Sequence, residues 1–162
     1  VKKNAFLEGS FTTRAGKQTD YYIDKYLFET QPAILDQLTD TITEVISNME
    51  YDIIAAPAFG AVPIASVLAK KTNDPFIIIK HQEDTSPLIL GHYESGQKVI
   101  IIEDILTSGK TSLETAQYLS SIGMKVVAIL SVVDRLEGGT ESLSKHGFNS
   151  ISLMTSADLK QA

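Results

Sequence analysis

Four short stretches constrain this chain more than anything else in it. Asp52 to Pro57 (DIIAAP), Phe76 to Lys80 (FIIIK), Lys98 to Asp104 (KVIIIED) and Lys125 to Arg135 (KVVAILSVVDR) are almost continuously apolar and rich in Ile and Val. A strand with one wet face alternates apolar with polar residues. These do not, so they read as strands buried on both faces, the pattern of a parallel sheet covered by helices. Helical signals accompany them. Ile34, Leu38, Ile42, Val45, Ile46 and Met49 recur at helical spacing behind Pro32, a residue tolerated in a first helical turn. Leu113, Ala116 and Leu119 fall on one face of Thr111 to Gly123, with Gly123 as the C-cap. The order strand, helix, strand, strand, helix, strand is that of an α/β fold with a mostly parallel central sheet.

The 162 residues are enough for one sizeable core and too few for two without a clear linker. A single domain over 1–162 is therefore expected. Within it, residues up to about 30 hold two strand-like pieces, in the stretch GSFTTRAGKQTDYYIDKYLF that starts at Gly9, around a Gly-containing turn at Ala15 to Gln18, read as a hairpin or hood over a core formed by 31–162. After the fourth apolar run come a Gly break, a short helix and a last strand, FNSISLM.

Composition excludes several function classes. There is no cysteine, hence no disulfide framework and no Cys-ligated zinc. The net charge of -6 argues against nucleic-acid or anionic-membrane partners, which need clustered Lys and Arg. It leaves room for a small anionic ligand, which feels the field of one cleft. The start, VKKNAFLEGSFTT, lacks the apolar core of a signal peptide, and no run approaches the roughly eighteen apolar residues of a membrane span, so a cytoplasmic protein is expected.

The third apolar run continues as Val99 to Ser112, VIIIEDILTSGKTS. Its Gly-Lys-Thr ending suggests a nucleotide-triphosphate P-loop, but that device needs a glycine five residues before the Gly-Lys pair, where this chain has Asp104. What remains is a strand ending in Glu103-Asp104 and a small-residue turn feeding a helix. Backbone N–H groups of Thr107 to Thr111 and the helix N-terminus can hold one phosphate. The two acids then suit vicinal hydroxyls or a hydrated Mg²⁺, which together describe a sugar phosphate. An acidic strand end followed by a polar helix cap is also common in α/β proteins. Spacing alone does not decide between the two.

VIIIEDILTSGKTS resembles the phosphoribosyl pyrophosphate (PRPP) signature of type I phosphoribosyltransferases: apolar residues, two acids, two apolar residues, then a Thr/Ser/Gly phosphate loop. FTTRAGKQTDYYID, APAFGAVPIA and the C-terminal SVVDRLEGGTESLSKHGFNSISLMTSADL are similar to three further segments of the orotate phosphoribosyltransferase family, so the resemblance covers nearly the whole chain. It implies that family's fold, with a small N-terminal hood, and transfer of the 5-phosphoribosyl group from PRPP to orotate, giving orotidine monophosphate and pyrophosphate. It also implies site residues. Glu103 and Asp104 would hold the ribose hydroxyls, Thr107, Ser108, Gly109, Lys110 and Thr111 the 5′-phosphate, and Ala58, Phe59, Gly60 and Ala61 the pyrophosphate. Arg135 would meet the orotate carboxylate, with Thr107, Arg14, Tyr21 and Tyr22 beside the base. Lys80, His81 and Asp104 would be the catalytic groups. Mg²⁺ would arrive on the pyrophosphate, since His81, His92 and His146 show no metal-ligand spacing.

Two segments depart from that family's pattern. Gly60 stands where the family often has a lysine. KHQEDTSPLILG replaces a longer basic loop that in the family's dimer reaches the neighbouring active site, leaving Lys80 and His81 as its cations beside Glu83 and Asp84. Catalysis leaning on Lys80 and His81, an altered transferase, and loop residues lying outside this chain all remain open. So do a transferase for another base and a non-catalytic PRPP sensor. The chain starts at Val1 without Met, and part of the family's usual first helix is expected to lie outside it. A two-fold homodimer is expected by the same resemblance.

Overall fold

The computed structural model describes residues 5–12, 16, 18–83 and 85–161. An antiparallel hairpin of β1 (Phe6–Thr12) and β2 (Gln18–Ile23) is followed by the single turn α1 (Tyr26–Glu29) and by α2 (Pro32–Ile46). Then come β3 (Ile53–Pro57), α3 (Ala61–Thr72), β4 (Phe76–Lys80), β5 (Leu88–Leu90) and β6 (Lys98–Leu106). The chain continues through α4 (Lys110–Ser121), β7 (Lys125–Asp134), α5 (Gly139–Lys145), β8 (Ser150–Thr155) and α6 (Ser156–Gln161).

The lack of alternation in the apolar runs has the cause expected from sequence. Their strands form a six-stranded sheet in the order β5-β4-β3-β6-β7-β8, parallel except for β5, with an apolar layer on each face. Ile54, Ala56, Ile100, Ile102, Leu130 and Val132 meet Leu38 and Ile42 of α2 and Ile64 and Leu68 of α3. The intervening residues, Ile53, Ala55, Val99, Ile101 and Ile129, meet Ala116 and Leu119 of α4 and Leu143 of α5 on the other face. Each fully buried Ile or Leu stabilises the fold by about 1.5–3 kcal/mol relative to exposure, so both residue sets of every strand are driven inward.

Three elements differ from the sequence reading. Helix α3 buries Ala61, Ala65 and Ala69 beside Ile64 and Leu68, and so many small residues mute its periodic signal. Strand β5 is three residues long, antiparallel on the sheet edge, and too short to carry a pattern. The hairpin begins at Phe6 rather than near Gly9, and Phe6 stacks on Tyr21 with ring centroids 5.2 Å apart. Of its turn, only Gly16 and Gln18 lie within the described residues. The hood joins the α2/α3 layer through Tyr21, Ile23 and Phe28. Among the described residues no helix is long and apolar enough to cross a membrane.

The strand order sets the place of a site. From β3 the chain moves outward to β4, and from β6 it moves the other way to β7 and β8, so β3 and β6 flank the point where the winding reverses. Loops leaving the carboxyl ends of two such strands diverge and open a crevice between them.

Candidate active site

Both strands at that crevice run into helix N-termini. Strand β3 passes through Ala58 and Phe59 to Gly60, the N-cap of α3, and β6 passes through Thr107 and Ser108 to Gly109, the N-cap of α4. Neither helix has a side-chain cap. Two sets of first-turn amides, each with the positive end of a helix dipole, therefore face one crevice, and that arrangement attracts anions. Phe59 is 80% exposed and the Ala58–Phe59 peptide is cis.

The two acids lie inside β6, which extends to Leu106, two residues beyond the expected end of the strand. Neighbours on a strand point to opposite faces, and this separates them. The Ser112 hydroxyl on α4 donates to Glu103 Oε2 at 2.8 Å. The Asp104 carboxylate turns to the other face, where Lys25 Nζ donates to Oδ2 at 2.7 Å and the Ile105 amide to Oδ1 at 2.6 Å. A Cβ added to Gly60 would lie 1.6 Å from Asp104 Oδ2, so the carboxylate rests directly on the turn before α3.

A third acid joins Asp104. Glu29, at the end of α1, is 2% exposed, and its Oε1 meets no hydrogen-bond donor of the protein. A protonated carboxyl donating to Asp104 resolves this. Burial first, and then the hydrogen bond with Asp104 and its charge, push Glu29 up to about 8. Burial also tends to raise Asp104, but the hydrogen bonds from Glu29 and Lys25 outweigh it and hold that carboxyl below its ordinary range. Glu103 is pushed up to about 8 by burial and by the negative charge of Asp104, against the Ser112 hydrogen bond. At neutral pH Asp104 is thus the anion, and its two acidic neighbours keep their protons.

The phosphate-loop candidate is shaped by glycines. Gly109 has φ 75°, and a Cβ there would meet the Gly139 carbonyl oxygen at 3.0 Å. A Cβ on Gly139 would lie 2.5 Å from the Thr107 carbonyl oxygen. Two backbones touch here, and Asp134 clamps the second one: Oδ1 accepts the Leu136 amide and Oδ2 the Thr140 hydroxyl, both at 2.7 Å. Lys110 and Thr111 open α4 within the same turn.

Arg135 leaves β7 beside this clamp and borders an open cleft of about 850 Å³ shared with Ser10, Gln18, Thr19, Tyr21 and Glu137. Its guanidinium lies 5.5 Å from the Tyr21 ring centroid, with Nη2 3.0 Å from Glu137 Oε1, and its Nε is buried without a partner. Lys160 Nζ lies 4.7 Å from the same Tyr21 ring centroid. Tyr22 points to the other face of β2, half-exposed and 5.7 Å from Phe11, so it does not line this cleft. Arg14 lies outside the described residues.

Lys80, at the end of β4, is exposed. His81 is held against α4, with Nε2 2.8 Å from Thr115 Oγ1 and Nδ1 3.9 Å from Glu114. Lys25, Glu29, Ser112, Asp134 and Gly139 were not singled out by the sequence reading. Lys25 and Asp104 are 79 residues apart, and no local pattern links them. The LEGG break was visible, but not what it touches.

Comparison with known proteins matches this geometry. The family model described as "Phosphoribosyl transferase domain" matches residues 28–155. An orotate phosphoribosyltransferase of Pyrococcus horikoshii is 38% identical over 159 residues, covering 95% of this chain and 86% of that protein. One of Natronomonas pharaonis is 34% identical over 154 residues, covering 93% and 87%. The crystal structure of orotate phosphoribosyltransferase from Aeropyrum pernix superposes with a TM-score of 0.89 at 25% identity, over 97% of this chain and 91% of that one.

Proposed function

We infer, for a chain that belongs to the phosphoribosyltransferase family and within it to the orotate phosphoribosyltransferases, that it transfers the 5-phosphoribosyl group from PRPP to orotate in pyrimidine biosynthesis. The observation that carries the reading is the pair of uncapped helix N-termini on either side of one ionised, buried carboxylate. PRPP carries a phosphate at one end, a diphosphate at the other and two hydroxyls between. The amides of Thr107, Ser108, Gly109, Lys110 and Thr111 hold its 5′-phosphate, and those of Ala58, Phe59, Gly60 and Ala61 its pyrophosphate. Asp104 accepts from a ribose hydroxyl, and Glu103, protonated at neutral pH, serves as a donor there.

As the bond to pyrophosphate breaks, positive charge grows on the ribose ring and negative charge on the departing group. Asp104 stands ready for the first charge, and the α3 N-terminus for the second, already oriented before reaction. Lys80 adds positive charge from the β4 side, with His81 beside it as a hydrogen-bonding group. Arg135 bonds the orotate carboxylate, with Tyr21, Thr107 and Arg14 around the base and Tyr22 stiffening the hairpin from its outer face. Among the described residues no group of three or more His, Cys, Asp or Glu could cage a metal. Such a donor set fits a Mg²⁺ carried by the substrate, held by pyrophosphate oxygens and water with Asp104 close by, where it would offset charge on the leaving group. The chain acts as one domain, in the cytoplasm, as a homodimer that closes each site with a neighbour's loop.

The test is the fall in orotate absorbance on mixing with PRPP and Mg²⁺. Consumption that requires both, with release of pyrophosphate, is the expected result. Binding of PRPP without turnover of orotate overturns it. For the base site, Arg135→Ala should raise the KM for orotate about ten-fold or more, and that for PRPP far less, because a charge-assisted bond of about 1.5–3 kcal/mol is lost to one substrate only.

A further inference from the structure

We propose that Lys25, on the hood side of the crevice, is a pyrophosphate-binding residue of this site, its ammonium lying over the turn before α3 in the space that a side chain at position 60 would fill. The role builds on the transferase reading above and adds to it a cation from a different part of the chain.

The placement is unusual in its closeness. Lys25 Nζ lies 2.7 Å from the point where a Cβ on Gly60 would stand, so the ammonium sits over the backbone whose amides face the crevice. An ammonium has three N–H donors. One goes to Asp104 Oδ2 at 2.7 Å, and the ring of Tyr26 lies 5.4 Å away on another side. The Lys25 side chain is one-third exposed, against 7% for that of Asp104, so a ligand can reach it more readily than its partner.

Charge bookkeeping in the cluster favours a second anion. Asp24 acts on Glu29, while Lys25 faces Asp104, Glu29 and Tyr26. With the Glu29 proton retained, Asp104 is its one close buried anion. Burial tends to neutralise Lys25, but the hydrogen bond and charge of Asp104 more than reverse this and keep it protonated. Of the other cations around the crevice, Lys110 lies 3.9 Å from Glu114 and Arg135 is beside Glu137. Lys80 stands exposed at the end of β4 and, among the described residues, forms no ion pair with the Asp104 carboxylate. Gly60 therefore has a reason beyond room for the carboxylate: any side chain there would displace the ammonium as well.

Two substitutions separate this role from a merely structural one. Lys25→Met keeps an apolar stem without charge, and Lys25→Arg keeps the charge. Binding of pyrophosphate with Mg²⁺ and of ribose 5-phosphate is measured for each by calorimetry, alongside kcat and both KM values. Losing one charge-assisted bond should weaken pyrophosphate about ten- to a hundred-fold in Lys25→Met and raise the KM for PRPP. Ribose 5-phosphate affinity should stay within about two-fold, and Lys25→Arg should recover most of the pyrophosphate affinity. If both ligands weaken equally, Lys25 acts only by holding Asp104 and the proposal fails. Unchanged pyrophosphate affinity in Lys25→Met, with wild-type protein turning over orotate, overturns the role of Lys25 alone. Wild-type protein that binds pyrophosphate through Lys25 without consuming orotate supports the role and overturns the transferase reading. Wild-type protein that binds neither ligand overturns both.

Discussion

The turns after β3 and after β6 occupy equivalent places at the reversal of the sheet, yet they are held in different ways. The turn after β6 rests on backbone: Gly109 and Gly139 bring two chain segments into contact, and Asp134 clamps the second through an amide and a hydroxyl. The turn after β3 rests on charge: Gly60 lies beneath the Asp104 carboxylate, the Lys25 ammonium and, through Asp104, the Glu29 carboxyl. The contact between the two backbones at the turn after β6 is itself uncharged. A buried ion cluster is intolerant of any change in shape or protonation, because removing one partner leaves the others uncompensated.

The comparison is broken most severely at Gly60. In Gly60→Ala the new methyl needs the space of Asp104 Oδ2, which Lys25 holds while the Ile105 amide holds Oδ1, so the carboxylate has nowhere to retreat. Denaturant unfolding should record a loss of about 3–5 kcal/mol, the usual cost of breaking a buried pair, with activity lost as well. A loss below 1 kcal/mol would mean that the carboxylate moves freely. Gly139→Ala strikes the other turn. Its methyl meets the Thr107 carbonyl at 2.5 Å, and a small backbone shift should cost about 1–3 kcal/mol while weakening the 5′-phosphate more than the pyrophosphate. Equal weakening of the two would remove the distinction between the turns.

The smallest effect is the dependence on pH. Glu29 rises from an ordinary 4.5 to about 8 in the folded protein, so the folded state holds a proton that the unfolded chain releases. Its contribution to stability is complete below about pH 4.5 and is lost as pH climbs through about 8. Raising the pH from 5 to 9 should lower stability, and Tm with it. Glu29→Gln should flatten that slope and leave the part due to Glu103, which is raised in the same direction. An unchanged slope would place the titration elsewhere.

The same contrast separates what was readable beforehand from what was not. The core strands were legible because burial on both faces leaves a local mark: Ile53 and Ile54 are both apolar, and no polar residue interrupts Val99 to Ile102. The strand, turn and helix of the phosphate-loop candidate were legible because strand, small residues and helix follow one another within Val99 to Ser112. Helix α3 was legible only as a place in the strand–helix–strand order, its residues unassigned because its alanines blur the period, and the sequence reading treated Tyr21 and Tyr22 as one wall where strand alternation divides them.

Local order thus determined the strands of the sheet, the turn and helix N-terminus after β6, and the acids of β6, because each depends on residues a few positions apart along one strand or turn. The reversal point came only with the pairing of β3 to β4 and β6. The tertiary structure alone decided which acid is ionised. Asp104 keeps its charge because Lys25 and Glu29 are carried to it across 79 and 75 residues, and Glu103 keeps its proton because the other face of the strand is closed by α4. Protonation answers to burial and to neighbouring charge, and both exist only once distant segments have met.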